Sequence, residues 1–169
     1  VNGSTLWLGT SEHGIYFLDL KSNRITQRLF KNLKSNSIVS FLETHDHTIF
    51  VATSLGLYQY IPMINDMKLV NDIALQKTNI SCLCESSDGK LWIGTYGNGL
   101  FVYDRKKQKS IHYTYNEESS TCISSDFITS IFEDSKQQIW LTTEGGGFCK
   151  YNRNDTFIHF QKKNGLPSN

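Results

Sequence analysis

The sequence predicts an all-β fold assembled from four tandem copies of one small antiparallel sheet. A five-residue apolar segment, Leu6-Trp7-Leu8-Gly9-Thr10, returns as Ile49-Phe50-Val51-Ala52-Thr53, Leu91-Trp92-Ile93-Gly94-Thr95 and Ile139-Trp140-Leu141-Thr142-Thr143. From threonine to threonine the copies lie 43, 42 and 48 residues apart, a period that suits propeller-type repeats and overlaps some helical arrays. Composition within the period separates the two. Its apolar runs are short, rich in β-branched and aromatic residues and separated by Gly, Asn, Asp and Ser. None has the length or the 3.6-residue period of a helix. Four short antiparallel strands per period make one blade of a β-propeller.

The strands of a blade follow in order. An apolar run ending in Glu opens the unit, as Ile38–Glu43, Ile80–Glu85 and Ile128–Glu133. The recurrent segment comes second. In Leu91–Thr95 both faces are apolar, as befits a sheet held between neighbours. Trp92 and Gly94 share a face, and the small residue leaves room for a bulky group of the next blade; Gly9, Ala52 and Thr142 stand in that position elsewhere. Third is a glycine with an aromatic-rich run: Gly14–Phe17, Gly56–Tyr60, Gly99–Tyr103 and Gly147–Tyr151. The closing run is clearest in Ser110–Tyr113 and Phe157–Phe160. Asp88-Gly89 is a strong hairpin signal between the first two strands, whereas Asp46-His47 and Lys136-Gln137 specify that turn less well.

These runs place one propeller segment over residues 1–169, with blades at about 1–35, 36–78, 79–122 and 123–169. The first blade lacks its opening strand, and the chain stops where a fifth blade would begin. An arc of a larger ring, seven-bladed by expectation, is therefore predicted. Its open blade faces invite pairing with a second copy.

Composition narrows the function. The 169 residues carry a net charge of +1, and the longest basic run is Arg105-Lys106-Lys107, so nucleic acid is not an expected partner. No stretch has the length of a membrane-crossing helix and no signal peptide opens the chain; Val1-Asn2-Gly3-Ser4 reads as cut from a longer protein. Four cysteines, Cys82, Cys84, Cys122 and Cys149, are too few for a disulfide framework and have no soft ligands beside them, so no metal is expected. Cys149 falls where the other repeats have Tyr16, Tyr58 and Phe101, the place of a small buried hydrophobe.

No cofactor and no catalytic group are predicted. Glu43, Glu85 and Glu133 share one position, which suggests a repeated structural bond, to turn amides for example, rather than the focused carboxylate pair of a glycosidase. His45-Asp46-His47 lies in a hairpin turn, where polar residues belong. The loops Thr95-Tyr96-Gly97-Asn98-Gly99 and Thr143-Glu144-Gly145-Gly146-Gly147 lack the Lys-Ser/Thr ending and the helix of a phosphate loop, and read as tight connections that need positive φ. In propeller geometry these connections open on the face where ligands usually enter. Glu12, His13, Tyr96, Asn98 and Glu144 are therefore the candidate ligand contacts, an aromatic with amides and carboxylates suited to a sugar; the alternative is that they are ordinary exposed loop residues.

The pattern I-x-S-I-x-E-D…G-x-L-W-I-G-T-x-G-x-G-L-x-x-Y-D resembles the two-component regulator propeller repeat. Residues 80–104 follow it almost throughout, and residues 128–152 follow it with the Asp-Gly turn altered. Asn32–Ile38, Ser124–Ile128 and Gly165–Asn169 are similar to that family's blade-to-blade connections. The second repeat departs most, with Phe50 for Trp and one Gly in Thr53-Ser54-Leu55-Gly56. The resemblance implies a non-catalytic part of the periplasmic sensor of a membrane-anchored hybrid histidine kinase of Bacteroides-type bacteria. In such systems propellers and a β-sandwich sense oligosaccharides and control transcription of polysaccharide-utilisation genes. It also implies an ectodomain dimer. The rival expectations are a propeller of a secreted polysaccharide-degrading enzyme and a protein-interaction scaffold.

Overall fold

The computed structural model describes residues 4–152 and 154–168. The cut start expected at Val1–Gly3 and the final Asn169 of the last connection lie outside the described residues. Sheet one comprises β1 (Thr5–Gly9), β2 (Ile15–Asp19) and β3 (Arg24–Arg28). Sheet two comprises β4 (Ile38–Glu43), β5 (Ile49–Thr53), β6 (Gly56–Ile61) and β7 (Asp66–Leu69). Sheet three has β8 (Ile80–Glu85), β9 (Leu91–Thr95), β10 (Leu100–Asp104) and β11 (Lys109–Tyr113). Sheet four has β12 (Ile128–Glu133), β13 (Ile139–Thr143), β14 (Gly147–Asn152) and β15 (Thr156–Phe160), followed by a 3₁₀ turn at Lys162–Asn164. Every sheet is an antiparallel meander in sequence order, so the all-β propeller architecture read from the repeat is the one observed. The chain divides into two compact units, residues 1–78 with sheets one and two and residues 79–169 with sheets three and four.

The repeats agree in detail. Each opening strand carries a register shift at the same place, between Ile38 and Ser40, Ile80 and Cys82, and Ile128 and Ser130. The turn after it is also the same in all three, although the sequence specified it well only at Asp88-Gly89. Its last residue is left-handed at His47 (φ 62°), Gly89 (φ 79°) and Gln137 (φ 59°). The amides of these residues bond back to the carbonyls of Thr44, Ser86 and Asp134 at 2.7–2.8 Å. This is the three-residue hairpin loop, a type I turn ending in a left-handed residue, rather than the two-residue loop that Asp-Gly most often signals.

In sheet four the side chain that opens the turn does more. Asp134 accepts the amides of Lys136 (2.8 Å) and Gln138 (2.9 Å) and the indole N–H of Trp140 (2.9 Å). In sheet three the residue at that position is Ser86, too short to reach, and the buried Nε1 of Trp92 has no hydrogen-bond partner. Ser86→Asp combined with Asp88→Lys, which reproduces the Asp134–Lys136 pair, is expected to stabilise the second unit by about 1–2 kcal/mol. The readout is a raised urea midpoint with an unchanged m-value; an unmoved midpoint would show that the new carboxylate does not reach the indole.

The core of each unit lies where its two sheets face one another. In the first, Trp7 of β1 packs on Phe17 at 4.7 Å, on Tyr60 at 5.0 Å and on Phe41 at 5.9 Å between ring centroids. In the second, Trp92 meets Tyr151 at 4.9 Å among Leu100, Val102, Ile123, Ile128, Ile131 and Leu141. The room that the sequence reserved beside the tryptophan is used. A Cβ at Gly9 would stand 2.6 Å from Cγ2 of Ile38, and one at Gly94 would stand 2.7 Å from Cγ2 of Ile128. In both units the first residue of the next opening strand fills the gap left by glycine.

Candidate functional site

Each connection between the second and third strands is closed by one threonine hydroxyl. Thr10, Thr53, Thr95 and Thr143 donate from Oγ1 to the carbonyls of Gly14, Gly56, Gly99 and Gly147 at 2.7–3.1 Å. Thr10 and Thr95 also accept the amides of His13 (2.9 Å) and Asn98 (3.0 Å). A polar side chain of the fourth strand then pins the loop from the other side. Gln27 Nε2 donates to His13 O at 2.9 Å, and the His112 ring meets Asn98 O at 2.7 Å. His13 and Asn98 thus occupy equivalent places, each held by backbone with its side chain free to face solvent.

In the second unit this loop is joined to the linker that precedes sheet four. Gly97 N and Gly99 N both donate to Asp126 O, at 3.1 and 3.0 Å. Tyr96 pairs with Phe127 as an isolated antiparallel bridge, and Glu144 N donates to Phe127 O at 2.9 Å. On the linker's far side Asp126 Oδ1 accepts Tyr115 N at 2.7 Å. The result is a rim that carries Tyr96, Asn98 and Glu144 around Phe127. Tyr96, Phe127 and Tyr115 each leave nearly half their surface in water. Glu12 and His13 lie on the corresponding loop of the first unit. Phe127 and Tyr115 were not among the sequence candidates; for Phe127 the available signal was an aromatic at the position that holds Ser37 and Asn79 before the other opening strands.

The repeated glutamates do not make the one repeated bond expected from their shared position; each has a different partner. Glu133 accepts the amide of Ser87 at 2.8 Å and its hydroxyl at 2.9 Å, so it caps the turn of the neighbouring sheet as the sequence suggested. Glu85 faces Arg105 at 3.6 Å. Glu43 turns to His47 Nδ1 at 2.8 Å, within its own hairpin. Asp155 accepts the hydroxyls of Tyr113 (2.5 Å) and Tyr151 (2.8 Å), fastening β11 of sheet three to the last turn of sheet four. Those two donated bonds hold the Asp155 carboxyl below its usual range, while burial and the bond to Asp155 push the Tyr113 phenol up.

The thiols are packing groups. Burial pushes the pKa values of Cys82, Cys84 and Cys149 up, and Cys149 is wholly enclosed with Ser124 Oγ at 3.0 Å. Among the described residues no cluster of three ligand-type side chains could hold a metal ion, and no helix is long and apolar enough to cross a membrane.

Residues 74–97 and 122–145 match the two component regulator propeller family. Both matches open six residues before the opening strand (80 − 74 and 128 − 122) and end inside the glycine loop, and the second includes the linker that forms the rim. The chain is 29% identical over 159 residues to histidine kinase P4 of Formosa agariphila, covering 82% of this chain and 12% of that protein. It is also similar to the extracellular domain of BT3049 from B. thetaiotaomicron, assigned to a hybrid two component system. That likeness has 27% identity and a TM-score of 0.81, over 99% of this chain and 22% of that domain. Virginiamycin B lyase of Staphylococcus aureus shares the fold alone, at 13% identity and a TM-score of 0.71 over 99% of this chain and 54% of that one. A shared propeller does not carry a shared chemistry. The chain is a β-propeller segment in which two repeats match the two component regulator propeller family.

Proposed function

We propose that the chain is a non-catalytic part of the periplasmic sensor of a membrane-anchored hybrid two-component system, and that the rim of the second unit contacts a glycan-derived ligand. The observation that carries the sensor reading is the likeness to the extracellular domain of BT3049 along 99% of the chain. The rim supports the ligand reading. Exposed Tyr96, Phe127 and Tyr115 offer apolar ring faces to a sugar, and Asn98 and Glu144 offer donors and acceptors for its hydroxyls. Glu12 and His13, on the equivalent loop of the first unit, are candidate contacts of that unit. Binding passes to the kinase through the membrane by way of an ectodomain dimer.

The test is binding of oligosaccharides to the complete ectodomain, with and without Tyr96→Ala and Phe127→Ala. Each substitution is expected to weaken binding roughly tenfold, as central aromatic contacts do, while leaving the melting temperature nearly unchanged because both rings are half exposed. Unaltered affinity in both variants would remove the rim from the proposal. A full coding region without a transmembrane helix and a kinase module would remove the sensor reading itself.

A further inference from the structure

Sheet two departs from its neighbours at one place, and a cleft has formed there. In the other sheets the fourth-strand residue opposite Tyr16, Phe101 or Cys149 is Gln27, His112 or His159. Each of these three reaches a loop carbonyl: His13 O at 2.9 Å, Asn98 O at 2.7 Å and Cys122 O at 2.5 Å. Opposite Tyr58 stands Leu69, which has no polar atom to offer. Beside this pair lies a cleft of about 370 Å³, within the range of small-molecule sites.

Its chemistry is specific. Ile64, Met67 and Leu69 give it apolar walls. Tyr58 lines it at 2% exposure, and its phenol hydroxyl makes no hydrogen bond to any described residue. The ring is buried, but the hydroxyl itself keeps contact with solvent at the cleft, so an acceptor carried by a ligand can take the place of water there. Lys34 from the linker and Lys68 from β7, both exposed, line the same cleft. Asp66, the acidic side chain of β7, is engaged by the backbone amide of Asn32 (3.3 Å) and its Nδ2 (3.0 Å). The cleft therefore combines apolar walls, two lysines among its lining residues and one hydroxyl open to a ligand.

We infer that this cleft binds a small carboxylate carried on an apolar ring, with the ring against Met67 and Leu69 and the carboxylate between the lysines and the Tyr58 hydroxyl. The site lies wholly in the first unit and does not depend on the rim of the second.

The two methionines supply the test. Met67 is fully buried in the wall of the cleft, whereas Met63 is 96% exposed and does not line it. In the 169-residue chain labelled at its methionine methyls, phenylacetate is expected to shift the Met67 signal saturably and leave Met63 in place. Phenylacetamide, the same ring without the charge, should bind roughly tenfold more weakly, and glucuronate, the same charge on a hydroxylated ring, at least about threefold more weakly. Tyr58→Phe, which keeps the buried ring, should cost about fivefold, and Lys34→Ala, at the surface, about three- to tenfold. A Met67 signal that phenylacetate does not move would overturn the inference. So would equal binding of the amide, tighter binding of glucuronate, or full affinity in both variants.

Discussion

Gly94→Ala is expected to destabilise the second unit by about 1–3 kcal/mol, the cost of forcing a methyl group into a filled seam. The added Cβ would stand 2.5 Å from Sγ of Cys82, 2.7 Å from Cγ2 of Ile128 and 2.9 Å from its Cβ. The sulfur sits at the end of a side chain that can turn. Ile128 cannot, because it is fully buried and β-branched, and its strand is paired to β13. The cause can be isolated by a cycle with Ile128→Ala. That change alone opens a cavity and should cost about 2–5 kcal/mol, but it also removes the Cγ2 that meets the new methyl. The double variant should therefore be less destabilised than the sum of the two, by about 1 kcal/mol. Strict additivity would mean that the strain falls elsewhere. Position 142 is the internal control: sheet four has threonine there, exposed, with its hydroxyl 2.7 Å from that of Thr129.

This glycine also shows why the fold was legible. Blade identity rests on local features, namely strand alternation, a hairpin every few residues and one small residue beside each tryptophan, and each can be counted along the chain. The seam was legible too, because Gly9 and Gly94 face the residue that opens the next strand. Turn type was read less well. His47 and Gln137 look unsuited to a left-handed site, yet they adopt it because the closing bonds to Thr44 and Asp134 are backbone bonds, indifferent to the side chain that follows.

The candidate site was legible only as loops. Tyr96, Asn98 and Glu144 followed from the glycine pattern, but Phe127 joins them through bridges to a linker about thirty residues away, a pairing that no local signal carries. Asp155 with Tyr113, 42 residues apart, is hidden for the same reason. The cleft of the first unit was visible only as divergence: the least regular repeat is the one whose fourth strand offers Leu69 where the others offer a hydrogen bond.

Thr95→Val should cost the second unit about 2–3 kcal/mol and loosen the rim at the same time. Thr95 is fully buried, and its hydroxyl both donates to Gly99 O (2.7 Å) and accepts Asn98 N (3.0 Å). Valine keeps the shape and removes both bonds. The Asn98 amide, on an exposed residue, can turn to water; the Gly99 carbonyl is enclosed and left without its donor, which is the larger part of the cost. Gly99 is left-handed at φ 72° and packs so closely that a Cβ there would run into Tyr113 O, so little room is left for its carbonyl to find a new donor in place. The loop must give way instead. Amide exchange at Gly97 and Gly99, whose N–H groups hold Asp126 O, should therefore accelerate well beyond the global change. Thr95→Ser, which restores the hydroxyl, should recover most of both effects, whereas Thr10→Val, at a half-buried position, should cost only about 1 kcal/mol. If the rim reads a ligand, affinity should fall in Thr95→Val and return in Thr95→Ser, because the first changes no group that would touch the ligand and alters only how firmly Tyr96 and Asn98 are held.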